Sequence, residues 1–233
     1  MDSAYTYFLI LGLSLIGPLA LSFDRKVAFF RKWRYLFPAM ILPVVFYLVW
    51  DMAFTRAGVW SFNSHYITGL FVGNLPLEEV LFFVVVPFCC VFIYECVRCY
   101  FPRLDKFHSA DRLLQLIGLL LFIAGLIFYR RAYTAVTFCL TGFFILALYV
   151  FRNFFRDFSA SFFLVAYAIA LIPFLVVNGL LTALPVVEYN NAENLGVRIY
   201  TIPFEDVFYG MLLMLMIIAL YERMRHRSAS QGQ

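Results

Sequence analysis

Two short acidic boxes hold most of the chemistry this sequence can offer. Pro76-Leu77-Glu78-Glu79-Val80 and Pro203-Phe204-Glu205-Asp206-Val207 each open a long apolar stretch, and neither stretch contains a lysine or arginine to neutralise the acids. An ionised carboxylate at mid-bilayer costs roughly 2.5–3.5 kcal/mol, so an intramembrane acid normally faces a cavity or a partner. In a dry apolar cavity a carboxyl can keep its proton near neutrality and give it to something as poor a base as an alkene. A second carboxyl can take a proton back. Adjacent helical residues point about 100° apart, so one acid of each pair faces the interior. The sequence reading places Glu78 and Glu205 there and turns Glu79 and Asp206 towards the interface. A plainer account is that a proline and a first-turn acid simply start a helix. Helix starts do not require two adjacent acids twice.

Aromatic side chains surround the boxes. The chain has 29 Phe and 15 Tyr, and Trp50, Trp60, Phe62, Tyr66, Phe82, Phe83, Tyr189, Tyr200, Phe208 and Tyr209 cluster near the acids in sequence. Ring faces stabilise a transient cation, although Trp and Tyr at membrane interfaces also form the usual aromatic belt. Trp50 adjoins a further intramembrane acid, Asp51. The three histidines (His65, His108, His226) are too scattered for a metal site. Cys96-x-x-Cys99 lacks a second pair at zinc spacing.

The elements that must carry these residues are transmembrane helices. Hydrophobic residues make up 64% of the 233 and charged residues 14%, a balance no soluble core could hide. The net charge of +4 therefore calls for no nucleic-acid partner. Seven stretches reach the length a bilayer asks for: 4–22, 36–54, 77–97, 113–129, 132–151, 160–184 and 204–221. Met1-Asp2-Ser3 has no basic region and reads as the start of a retained helix. Fourteen of the 18 Lys and Arg fall in alternate loops and the carboxyl-terminal tail, against Arg56, Arg130, Arg131 and Arg198 on the other side. The positive-inside rule then places the amino terminus outside and the carboxyl terminus in the cytoplasm.

The boxes also mark a repeat. At a fixed offset of 127 residues Pro76 falls on Pro203, Asn63 on Asn190, Gly69 on Gly196, Phe62 on Tyr189, Asp51 on Asn178 and Phe82 on Tyr209. The expected fold is all-α and membrane-integral. Its seven transmembrane helices form two parallel three-helix repeats, residues 1–112 and 132–233, joined by a connecting helix over 113–131. Both boxes then open their helices on the same side, facing one another across a shared interior.

These motifs resemble the membrane lycopene cyclases. Trp50-Asp51, Gly58 to Asn63, Tyr66 to Gly69 and the first box with Phe82-Phe83 are similar to one subunit of the heterodimeric bacterial type. Val177-Asn178-Gly179, Leu181-Thr182, Tyr189-Asn190 and Ile202 to Tyr209 are similar to its partner, so the chain resembles the natural fusion. The resemblance extends to the fungal cyclase domain. It implies a lycopene β-cyclase of the carotenoid pathway, a non-redox isomerase that closes the acyclic ψ end of lycopene into a β ring. It also implies catalytic roles within Glu78, Glu79, Glu205 and Asp206. Substrate would contact Trp50, Asp51, Trp60, Phe62, Asn63, Phe82, Asn178, Asn190 and Tyr209. The implied partners are lycopene and other acyclic or monocyclic carotenoids, the bilayer of a bacterial cytoplasmic membrane, and other carotenoid enzymes. Without a G-x-G-x-x-G fingerprint no flavin or nicotinamide cofactor is expected. A carotenoid hydratase is the nearest rival. A seven-helix transporter or receptor using its acids as proton relays is the rival of another class, and a structural membrane subunit is a third reading.

Overall fold

The computed structural model describes residues 3–106 and 109–231. Met1, Asp2 and His108 lie outside the described residues. Seven α-helices account for most of the chain: α1 (Thr6–Leu21), α2 (Trp33–Ala57), α3 (Leu77–Tyr100), α4 (Ser109–Ile127), α5 (Ala132–Val150), α6 (Ala160–Ala183) and α7 (Glu205–Gln231). Six of the helical segments are long and apolar enough to cross a membrane. The exception is α1, whose 16 residues reach only about 24 Å at 1.5 Å per residue. The architecture is thus helical and consistent with a membrane protein. Prolines lie inside α1, α2, α3 and α6, as membrane helices tolerate where neighbours satisfy the freed carbonyls.

The loops after α2 and α6 are alike in backbone detail. The first contains β1 (Trp60–Phe62) and a hairpin of β2 (Phe71–Val72) and β3 (Leu75–Pro76). The second contains β4 (Val187–Tyr189) and a hairpin of β5 (Arg198–Ile199) and β6 (Ile202–Pro203). Phe71 pairs with Pro76 and Arg198 with Pro203, which are matching positions at the offset of 127. Pro76 and Pro203 close these hairpins one and two residues ahead of α3 and α7, so neither occupies the first helical position. Gly69 and Gly196 share a left-handed φ of 80° and 74°. At the hairpin turns Gly73 has φ 65° and its counterpart Tyr200 has φ 59°, a conformation that disfavours a bulky side chain. The second loop keeps the shape of the first despite that cost.

β1 and β4 join the two loops into one antiparallel pair, with Ser61 opposite Glu188 and Trp60 opposite Tyr189. Because 188 is 61 plus 127, the register is centred on equivalent residues, as rotation about a two-fold axis produces. Helix packing follows the same exchange. α1 lies on α3 and α5 on α7, while α2 packs across onto α7 and α6 across onto α3. The halves interlock. α4 lies mainly on α5, where Gly118, Gly125 and Gly142 bring the backbones together. A Cβ on Gly142 would sit 2.5 Å from the Gly118 carbonyl oxygen, the close approach that small residues permit between membrane helices.

Candidate active site

All four box acids are buried, but they divide differently from the sequence expectation. Glu78 Oε1 accepts the Thr68 backbone N–H at 2.7 Å, and Glu205 Oε1 accepts that of Leu195 at 2.7 Å. Thr68 and Leu195 are themselves equivalent, so Glu78 and Glu205 each tie a loop to the head of its helix. Thr134 Oγ1 adds a second bond to Glu205 at 2.5 Å. Glu79 and Asp206 turn the other way, into a cavity of about 40 Å³ that they share with Asp51. The 100° step between neighbours decided this, and a helix apolar on every side gives sequence reasoning no face to orient it.

The cavity acids are held by distant donors. Tyr7 Oη of α1 donates to Glu79 Oε2 at 2.6 Å, and Tyr133 Oη of α5 donates to Asp206 Oδ1 at 2.5 Å. Tyr189 Oη occupies the second oxygen of Asp206 at 2.9 Å. Trp60 Nε1 donates to Asp51 Oδ1 at 2.5 Å, leaving Asp51 Oδ2 buried without a hydrogen-bond partner. No lysine, arginine or histidine lines this cavity among the described residues. Five equivalent pairs do: Asp51 and Asn178, Trp60 and Val187, Phe62 and Tyr189, Glu79 and Asp206, Phe82 and Tyr209. The rings of Trp60 and Tyr209 lie 6.1 Å apart, and Tyr133 stacks on Tyr189 at 5.9 Å. Three carboxyls line one small space walled largely by aromatic side chains. Such a site can donate a proton, receive one, and shelter a cation between the two events.

The family model described as lycopene cyclase matches residues 4–97 and again residues 130–224. The chain belongs to the lycopene cyclase family. The two matched segments begin at α1 and near the start of α5, and both end within the helices the boxes open. The connecting stretch around α4 lies outside them. A bifunctional lycopene cyclase/phytoene synthase of the fungus Leptosphaeria maculans is 33% identical over 84 residues. That match covers a third of this chain and 14% of the fungal protein. No solved structure matches.

Of the residues singled out from the sequence, Asp51, Trp60, Phe62, Phe82, Asn178 and Tyr209 line the cavity. Trp50 does not line it but packs on Tyr209 at 4.9 Å. Asn63 and Asn190 stay in the loops, where their Oδ1 atoms accept the backbone N–H of His65 and of Ala192, each at 3.0 Å. They shape the turns and do not reach the acids. The phenols of Tyr7 and Tyr133 went unnoticed in sequence, since nothing near either residue marks it. The sequence also carries the signal of a buried cluster at the opposite end of the bundle. Tyr94, Glu95 and Arg98 fall on Tyr221, Glu222 and Arg225 at the same offset. Glu95 accepts hydrogen bonds from Lys32, from Tyr221 Oη at 2.8 Å and from Arg225 at 3.2 Å, while Arg98 pairs with Glu222.

Proposed function

We propose that this chain is a lycopene β-cyclase and that Asp51, Glu79 and Asp206 carry the proton chemistry. One observation supports this above the rest: three carboxyls share a single aromatic-walled cavity with no cationic side chain lining it. Carboxyls that share a low-dielectric space can share a proton between them. Asp206 accepts a phenol on each oxygen and suits the anion. Asp51 and Glu79 each keep one oxygen unbonded and suit the donor. A proton from that pair adds to the terminal double bond of the ψ end group and leaves a tertiary cation. The neighbouring alkene attacks the cation and closes the ring. Asp206 removes a ring proton, so the product has the mass of the substrate and nothing is oxidised or reduced. The reaction is that of an intramolecular lyase-type isomerase. Glu78 and Glu205 act by holding the loops over the site. The offset pairs around one cavity favour a single site shared by both halves, and Asp51 facing Asn178 makes that site unequal.

Expression in a lycopene-accumulating host without a cyclase tests the reading by chromatography and mass. Cyclisation yields γ- or β-carotene of unchanged mass, and in deuterated water the new ring carries deuterium. A hydratase gives products heavier by one water. A transporter, receptor or structural subunit leaves lycopene as it was, and unchanged lycopene with folded protein in the membrane refutes the cyclase.

We further propose seven spans, with the hairpin end outside and the carboxyl terminus in the cytoplasm. The distribution of lysine and arginine supports this, and α1 is counted as a span despite its length. A reporter fused after Gln233 is expected to be active only in the cytoplasm, and one inserted at Asn191 only outside. Activity of the Asn191 fusion in the cytoplasm overturns the orientation.

A further inference from the structure

The acid cavity, at about 40 Å³, holds a water or two and no carotenoid end group. A much larger cleft of about 600 Å³ lies between α1, α3 and α6, within the usual size of ligand sites. Its walls are almost wholly apolar. Its mouth carries Leu13, Ile172 and Val176, exposed by 68%, 68% and 59% on a side where lipid belongs. A small gap of about 20 Å³ lies between the two spaces: Val86, Cys90 and Ala170 line both gap and cleft, and Phe82 and Tyr209 line both gap and acid cavity. Phe174 borders all three.

Several equivalent positions of the repeat differ in size between this side and the other. At the offset of 127, Phe174 corresponds to Tyr47 and Gly210 to Phe83. Tyr47 and Phe83 are fully buried, their rings 5.6 Å apart, and Tyr47 Oη is anchored to the Tyr209 carbonyl at 2.7 Å. On the cleft side Gly210 has no side chain, and a Cβ there would lie 2.9 Å from the Phe174 ring. Val86, Cys90 and Val177 correspond to the larger Leu213, Ile217 and Trp50. At these five positions the cleft side carries the smaller side chain, whereas Ile10, Ile172 and Leu180 of the cleft exceed their counterparts Thr137, Val45 and Ala53.

We propose that the cleft between α1, α3 and α6 is the lateral entrance and seat of the substrate's linear polyene, with Phe174 as the side chain that swings to admit its end group to the acids. The proposal rests on the cyclase reading. A linear, wholly apolar chain dissolved in the bilayer fits a wall without charges, and it reaches Asp51, Glu79 and Asp206 without crossing water.

The test combines conversion with retention of pigment. Full-length protein carrying Asp206→Asn is purified in detergent with lycopene, and bound pigment is read from visible absorption after size exclusion. Val177→Trp, which copies the residue at the filled position, is expected to lower retention in that background, and conversion in the otherwise native chain, by ~10-fold or more, the scale of an overfilled packed site. Ile123→Trp, on the exposed face of α4, is expected to change neither. A photoreactive benzoylphenylalanine at Val176 supplies a second arm that needs no large change in the packed interior, and irradiation should join it to lycopene. Val177→Trp protein that is monodisperse and binds and converts like the native chain overturns the entrance. So does crosslinking from Phe82 but not from Val176. If the native chain neither binds nor converts lycopene, the cyclase reading itself has failed.

Discussion

Conversion of lycopene is expected to fall by ~10²-fold or more in each of Asp51→Asn, Glu79→Gln and Asp206→Asn, the usual scale of a lost general acid or base. Each amide keeps the size and most of the hydrogen bonding of its acid and removes the ionisable proton, so the protein should still accumulate in membranes. Glu78→Gln and Glu205→Gln are expected to cost less than ~10-fold, because an amide oxygen can still accept the Thr68 or Leu195 N–H. The measurement is initial rate per folded protein, with pigment retention as a check on binding. Asp206→Asn should bind lycopene while failing to convert it. The opposite ranking, with the cavity trio tolerant and the loop acids essential, would return the chemistry to Glu78 and Glu205.

Glu222→Leu is expected to damage stability instead. The Glu222 side chain is 1% exposed, while its partners Arg98 and Arg225 keep 20% and 26%. Breaking a buried pair costs about 3–5 kcal/mol, and here Arg98 and Arg225 keep Glu95 as a second partner at 3.9 and 3.2 Å. The lower end applies because these arginines can still reach water. At about 2–4 °C per kcal/mol for a chain of this size, the melting midpoint should drop by roughly 6–12 °C. The rate of the protein that remains folded should stay near native, since the cluster lies at the opposite end from the acids. An unchanged midpoint would mean that the cluster does not hold the bundle together.

The helices and the acidic boxes were legible because lipid imposes a length and polar residues inside it are conspicuous. Asp51 and Asn178, found through the offset, do line the cavity, as do Phe62 with Tyr189 and Phe82 with Tyr209. What stayed hidden was direction. Glu78 and Glu79 differ by one helical step, and α3 is too uniformly apolar for its sequence to say which step faces inward. Tyr7 and Tyr133 meet their acids 72 and 73 residues away. Only tertiary packing brings them there. The Glu95 and Glu222 cluster, by contrast, is legible, because the offset of 127 continues past the boxes to Arg98 and Arg225.

The crossing of α2 onto α7 and of α6 onto α3 also places the site in time. A ribosome adding about 5–20 residues per second needs roughly 6–25 s to travel the 127 residues from Glu79 to Asp206. During that interval Tyr133, α6 and Tyr189 emerge in turn, while the face of α2 that α7 will cover stays bare until the end. Nothing in the first half can finish the job early. The last helix to emerge delivers both the third carboxyl of the cavity and the surface that packs on α2 and α5, so the proposed site and the closed bundle arrive in the same step. A nascent chain stalled before α7 carries Asp51 and Glu79 beside a face of α2 that nothing yet covers.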